Sequence, residues 1–205
     1  MAARIVGPRS AARLRPPFAQ ASAAAAITMS LLKNIVIAVV VVVAGVLVYA
    51  STRPNSFRIQ RSATIKAPPE KIFALLNDFH RWSEWSPWEK LDPALQRTYG
   101  GPPAGVGSTY DYQGNKKVGA GHMVIKESDP GRRLIVQLDF LEPFEAHNTA
   151  EFVLTPQGDS TEVQWAMFGP ATFMTKLMSV FMSMDSMVGK DFEAGLASMK
   201  SISER

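Results

Sequence analysis

Cysteine is absent from this chain. That removes disulfides, thiolate nucleophiles and Cys-ligated zinc or iron–sulfur centres together. The same absence fits a reducing or an oxidising compartment, so it carries no information on location. Acidic residues are missing before Ser56, where six basic ones fall: Arg4, Arg9, Arg13, Arg15, Lys33 and Arg53. All 18 acids follow, and of the 22 basic residues 16 do, so the part from Ser56 onward has a net charge of −2. The overall +4 thus belongs to the N-terminal segment. No basic stripe remains for phosphate binding, and nucleic acid is not expected as a partner.

Chemical signatures are scarce as well. The three histidines, His80, His122 and His147, have no HxH or HExxH spacing, so no metal site is expected. The glycines of 100–107 and Gly119-Ala120-Gly121 are followed by no GK[ST] and open no helix after a strand. They read as turns or bulges, not phosphate cradles. Neither GxSxG nor a carboxylate dyad at readable spacing is present, and no cofactor is expected. This lack argues against an enzyme.

What is present begins with Ile35 to Ala50, IVIAVVVVVAGVLVYA, a run without charge. Leu31 and Leu32 extend it, because Lys33 can snorkel to an interface, and Tyr49 supplies an interfacial aromatic at the other end. As a helix, Leu31 to Thr52 would span about 33 Å, enough for a bilayer core of about 30 Å. The run exceeds the usual h-region of a cleaved signal peptide, although Val48-Tyr49-Ala50 would suit cleavage, and that rival reading stands. The chain is therefore divided into a disordered or targeting leader (1–30), a single-pass anchor (31–52) and one domain (56–205). Met29 would serve as an alternative start. Basic residues before the anchor place the domain on the extracytoplasmic side by the positive-inside rule, against the pull of Arg53, Arg58, Arg61 and Lys66.

From Ser56 the pattern becomes globular. Phe57, Ile59, Ala63 and Ile65 alternate with polar residues, a strand with one wet face. Ala67-Pro68-Pro69-Glu70 ends it and starts a helix whose apolar side is Ile72, Phe73, Leu75, Leu76 and Phe79. Three of the four tryptophans fall in 79–89. Six further strands are predicted near 95–100, 107–113, 118–127, 133–141, 145–155 and 160–168, separated by Gly, Pro, Asn and Asp turns. From Ala171 to Ser203 there is no proline, and apolar residues recur every three or four positions, which predicts one long helix. The sheet buries its apolar face against that helix.

The segments FRIQRSATIKAPPEKIFALLNDFHRWSEWSPWE (57–89), GNKKVGAGHM (114–123), FLEPFEAHNTAEFVL (140–154) and MVGKDFEAGLASMK (187–200) resemble the SRPBCC superfamily of START-like and birch-pollen-allergen-like proteins. The narrower likeness is to its polyketide cyclase/dehydrase-like branch. The resemblance implies an α+β helix-grip fold: a curved antiparallel sheet of about seven strands wrapped on a long C-terminal helix, with an apolar cavity between them. It does not settle function, since such folds host lipid carriers, receptors, chaperone activators and cyclases.

Candidate ligand-binding residues follow from alternation and helical spacing. Trp82 and Trp85 stack on a planar ligand or lock short helices onto the sheet. Tyr110, Tyr112 and Asn148 offer polar groups. Met123, Phe140, Trp165, Met167, Phe181, Met184 and Val188 supply a pliable apolar wall. Arg61 is the one clearly inward-facing ionisable group. Three functions remain open: non-catalytic binding of a lipid or aromatic metabolite by a membrane-tethered monomer, a cyclase or dehydratase, and a protein-interaction module using the exposed sheet face. A chain shortened to begin near Asn55 is expected to be a soluble monomer, as judged by light scattering after chromatography. A need for detergent would show that the anchor lies elsewhere.

Overall fold

The computed structural model describes residues 17–205, apart from the side chains of 17–28, Ser30 and Met184. It divides into two units, one up to Val48 and one from Tyr49 to Arg205. The first is helical. Helix α1 (Pro17–Ser51) contains one stretch, Leu31–Ser51, long and apolar enough to cross a membrane, a test that a signal sequence also passes. Of the leader expected over 1–30, residues 1–16 lie outside those described, and 17–30 continue α1 as helix.

The second unit is an antiparallel sheet with helices on one face. Its elements are β1 (Ser56–Ile65), α2 (Pro69–Leu76), α3 (Trp82–Trp85), β2 (Gln96–Gly100), β3 (Thr109–Gln113), β4 (Ala120–Asp129), β5 (Arg133–Glu142), β6 (Ala146–Gln157), β7 (Ser160–Pro170), α4 (Phe173–Phe181) and α5 (Met184–Ser203). Single 3₁₀ turns at Phe79–Arg81 and Trp88–Lys90 flank α3. The strands run in the order β1-β7-β6-β5-β4-β3-β2. Six are joined as consecutive hairpins, and β1 closes against β7 from Ser56↔Pro170 to Ile65↔Thr161. This is the curved sheet and C-terminal helix of a helix-grip fold. The pairing of β4 with β5 shifts register between Ala120 and Gly121, the bulge expected of the Gly119–Gly121 segment.

Alternation places the core correctly. Leu134, Val136, Ala150, Phe152, Leu154, Val163, Trp165 and Met167 are buried, while Glu151, His147 and Asp139 on the other face pair with Arg133, Arg58 and each other. The tryptophan segment is pinned from below. Trp82 and Trp85 donate their indole N–H groups to the carbonyls of Leu76 (2.9 Å) and Leu75 (3.0 Å). Those are two of the carbonyls that the end of α2 leaves without helical partners.

The long terminal helix predicted from Ala171 to Ser203 is two helices. Met182 and Ser183 are extended between α4 and α5, and each helix has its own N-cap. Thr172 accepts from Thr175 N (3.2 Å) and Ser183 from Ser186 N (3.3 Å). A capping serine with Asp185 in the following turn starts a new helix without any proline to end the old one.

Helix α5 lies close to the sheet because Gly195 has no side chain. A Cβ there would sit 2.7 Å from the Trp165 ring, so the indole occupies the space instead. Trp165 stacks on Phe192 of α5, with centroids 4.1 Å apart, and on Phe152 at 5.0 Å. Phe152 in turn meets Trp82 and Trp85 edge to face. Truncating this fully buried ring, Phe152→Ala, is expected to cost about 3–5 kcal/mol, read from urea unfolding followed by circular dichroism. A loss well below 1 kcal/mol would mean that the ring cluster does not organise the core.

Candidate ligand cavity

A cavity of about 370 Å³ opens between the sheet and α5. Its wall is built from strand positions two apart: Tyr110 and Tyr112 on β3, Met123 on β4, Leu138 and Phe140 on β5, Ala150 on β6, and Trp165 and Met167 on β7. Helix α5 closes it with Met187, Val188, Asp191 and Phe192, and the tryptophan segment adds Trp82, Trp88 and Glu89. A volume of this size is enough for a small apolar molecule.

Eight of the candidate residues meet in this wall: Trp82, Tyr110, Tyr112, Met123, Phe140, Trp165, Met167 and Val188. The others do not. Trp85 is wholly buried beneath Trp165 and Phe152. Asn148 is buried beside Gly169, away from the cavity, with its carbonyl oxygen unpartnered. Phe181 is exposed at the end of α4, because the helix break turns its position away from the sheet. The Met184 side chain lies outside the described residues. Of the further methionines on α4 and after it, Met174, Met178 and Met182 are on the surface, while Met187 on α5 is in the lining. Trp165 lies 5.4 Å from Trp85 and 5.8 Å from Trp88.

Arg61 does face α5, but as a structural clamp. Its guanidinium donates to Asp185 (2.9 Å) and Glu193 (2.8 Å), and these partners raise its pKa further above neutrality. The ionisable groups of the cavity are instead Glu89, Lys117, Glu142 and Asp191. Strand alternation missed Glu89 because it follows a proline in a 3₁₀ turn, and Asp191 because its apolar neighbours came from the helical pattern alone.

Hydrogen bonding sets the polarity of this wall. Glu89 accepts from the Tyr110 phenol (2.5 Å) and from Arg97 Nε (2.7 Å). Burial, and then the Glu89 carboxylate, raise the Tyr110 phenol well above its ordinary pKa. Burial alone pushes Tyr112 up to about 12. Both phenols are therefore neutral donors at physiological pH. Tyr112 lies across Gly121, where a Cβ would collide with its ring, and among the described residues its hydroxyl has no protein partner. The indole N–H of Trp165 is also buried without a partner. The wall is thus mostly apolar and aromatic, with the Tyr112 phenol and the ionisable Glu89, Lys117, Glu142 and Asp191 among its polar members. Among the described residues no cluster of His, Asp or Glu is placed to hold a metal ion.

An apolar chamber gripped between a seven-stranded antiparallel sheet and a C-terminal helix defines the helix-grip class. The chain belongs to the polyketide cyclase/dehydrase and lipid transport family, whose sequence profile matches residues 56–204. Solved structures share the fold. A protein of Chromobacterium violaceum aligns with a TM-score of 0.52 at 15% identity, over 75% of this chain and 99% of its own. The Aha1 dimer of Colwellia psychrerythraea aligns at 0.51 with 19% identity, over 72% and 96%. The di-domain aromatase/cyclase BexL of the BE-7585A biosynthetic pathway aligns at 0.56 with 13% identity, over 77% of this chain and 53% of its own. At such identities the likeness concerns the fold alone. No curated protein matches the sequence.

Asp191 gives the site a pH signature. Burial raises its carboxyl pKa, against the opposing effect of a hydrogen bond from Trp88. The folded state therefore favours the neutral acid. That preference is fully present below the unfolded value of about 3.9 and is lost as pH rises through the folded value, above which ionised Asp191 is a penalty. Asp191→Asn keeps the acceptor for Trp88 and removes the charge. It should unfold at higher urea than the parent at neutral pH, and the difference should vanish below about pH 3. An equal difference at both pH values would mean that Asp191 ionises freely.

Proposed function

We propose that the protein is a membrane-tethered, non-catalytic binder of a hydrophobic small molecule, a lipid or aromatic metabolite that carries a hydrogen-bond acceptor. The observation that carries this is the cavity wall, mostly apolar and aromatic, with the Tyr112 phenol in it as a neutral donor. Apolar burial at roughly 25 cal/mol per Å² supplies affinity, and the Tyr112 phenol orients a carbonyl or similar group. Glu89, which would be the obvious base, is occupied by Arg97 and Tyr110. The Leu31–Ser51 helix is the tether in this reading, with the domain on the extracytoplasmic side.

A cyclase or dehydratase remains the second reading, and Asp191 favours it. A carboxyl whose pKa burial raises, set in the wall of a cavity, is the kind of group that acid–base chemistry uses. The two readings separate on Asp191→Asn, which leaves the cavity's shape intact. A binder keeps its ligand affinity, whereas a catalyst keeps affinity and loses turnover of a candidate polyketone.

Mass spectrometry of the natively purified protein is expected to find a co-purifying apolar compound. Ala150→Leu, which puts side-chain volume into the cavity, should abolish that compound. With spare room available it should cost less than the roughly 1–3 kcal/mol typical of overpacking. Full destabilisation with no bound compound in the parent would mean a plain core.

A further inference from the structure

Helix α4 is assembled the wrong way round for a helix of a soluble domain. At 100° per residue, Val180, Phe173, Leu177, Phe181, Met174 and Met178 occupy one arc of about 160°, while Thr175, Lys176 and Ser179 occupy the opposite side. Amphipathic helices on a core bury the first kind of face and expose the second. Here Phe173 is 52% exposed, Met178 38% and Phe181 70%, and no residue of the helix is buried. The polar side is instead the one turned to the protein. Lys176 Nζ donates to the Asn55 side chain, Arg53 Nε donates to Ser179 Oγ (3.5 Å), and the N–H of Ala171 donates to Asn55 O (2.8 Å).

Those contacts say what covers the outward face. Arg53 and Asn55 belong to the link that leaves the apolar stretch ending at Ser51, and from Ser51 to Asn55 the chain reaches at most about 14 Å. Whatever surrounds the end of the span is within reach of α4. The segment from Ala171 to Met184 has no acidic residue, and among the described residues neither Lys176 nor Arg53 has an ion-pair partner. An apolar face on a helix with nearby cations that no carboxylate neutralises, and without acids of its own, is the composition of a helix that lies in a lipid interface.

We propose that α4 and the exposed corner at Met182 lie in the headgroup region of the bilayer that holds the tether. The proposal rests on the tethering reading above. It makes the domain doubly attached, by a span and by a surface helix. Because the lipid replaces a protein partner, the face needs no second copy of the chain.

The absence of cysteine allows a direct test in the full chain. Single cysteines at Phe181, Met178, Val41 and Thr98 would each carry a nitrobenzoxadiazole label in nanodiscs of mixed phosphatidylcholine and phosphatidylglycerol. Thr98 is an exposed position on β2, the strand at the opposite edge of the sheet from β1, and Val41 lies in the span. Labels at Phe181 and Met178 are expected to lose most of their fluorescence to spin-labelled lipid and little to iodide, and Thr98 the reverse. If Val41 is quenched by lipid while both α4 labels are quenched by iodide, the docking is overturned and the tether stands. If the α4 labels are shielded from both quenchers, a second copy covers the face and the proposal is equally overturned. If Val41 itself is open to iodide, the tether reading fails, and the docking with it. All four side chains are exposed, so an unchanged circular dichroism spectrum verifies folding.

Discussion

The stack of Trp165 on Phe192 is the contact on which the rest of the domain depends. Two rings at 4.1 Å and 9° from parallel join the middle of β7 to the middle of α5, and the missing side chain of Gly195 lets them meet. Large aromatic surfaces contribute most per residue to burial. This pair extends through Phe152 to Trp82 and Trp85, so one continuous set of rings joins sheet, short helices and long helix. Arg61, bonded to Asp185 and Glu193, holds the same helix from β1. That clamp is partly exposed and worth little by comparison.

The rings also explain why space is left elsewhere. Trp165 and Phe192 end the tightly packed part of the interior and begin the wall of the cavity. Past them, small or flexible residues such as Ala150 and Met167 leave the gap between sheet and α5 unfilled. A molecule bound there would rest directly on the contact that holds the fold, so occupancy and stability are linked by mass action.

Much of this was legible from residue order. Period-two alternation along β5, β6 and β7 gave the core face, although Ala166 is buried on the opposite one, and the turn residues between strands placed every hairpin. Those signals are local, and in this domain each strand from β2 to β7 pairs with its sequence neighbour. The helix break was harder, because Ser183 ends one helix only by capping another, and no apolar residue changes its spacing. The cavity's charged members were hidden for a related reason. Glu89 and Asp191 come from segments that no strand pattern describes, and their meeting depends on how α5 is seated. Phe181 had the spacing of a buried stripe and is exposed. A residue's apolar character shows that it wants cover, not which phase supplies it.

The position of β1 has a consequence in time. Every other strand can pair with its neighbour as soon as a hairpin is complete, the kind of local contact that forms fast. The one partner of β1 is β7, so Ser56 must wait for Pro170, across nearly the whole domain. During synthesis the first strand to emerge is the last to be matched, and until then its Phe57 and Ile59 have no sheet to join. Completion of the fold is therefore a C-terminal event: a nascent chain that stops short of β7 has a meander but no closed grip.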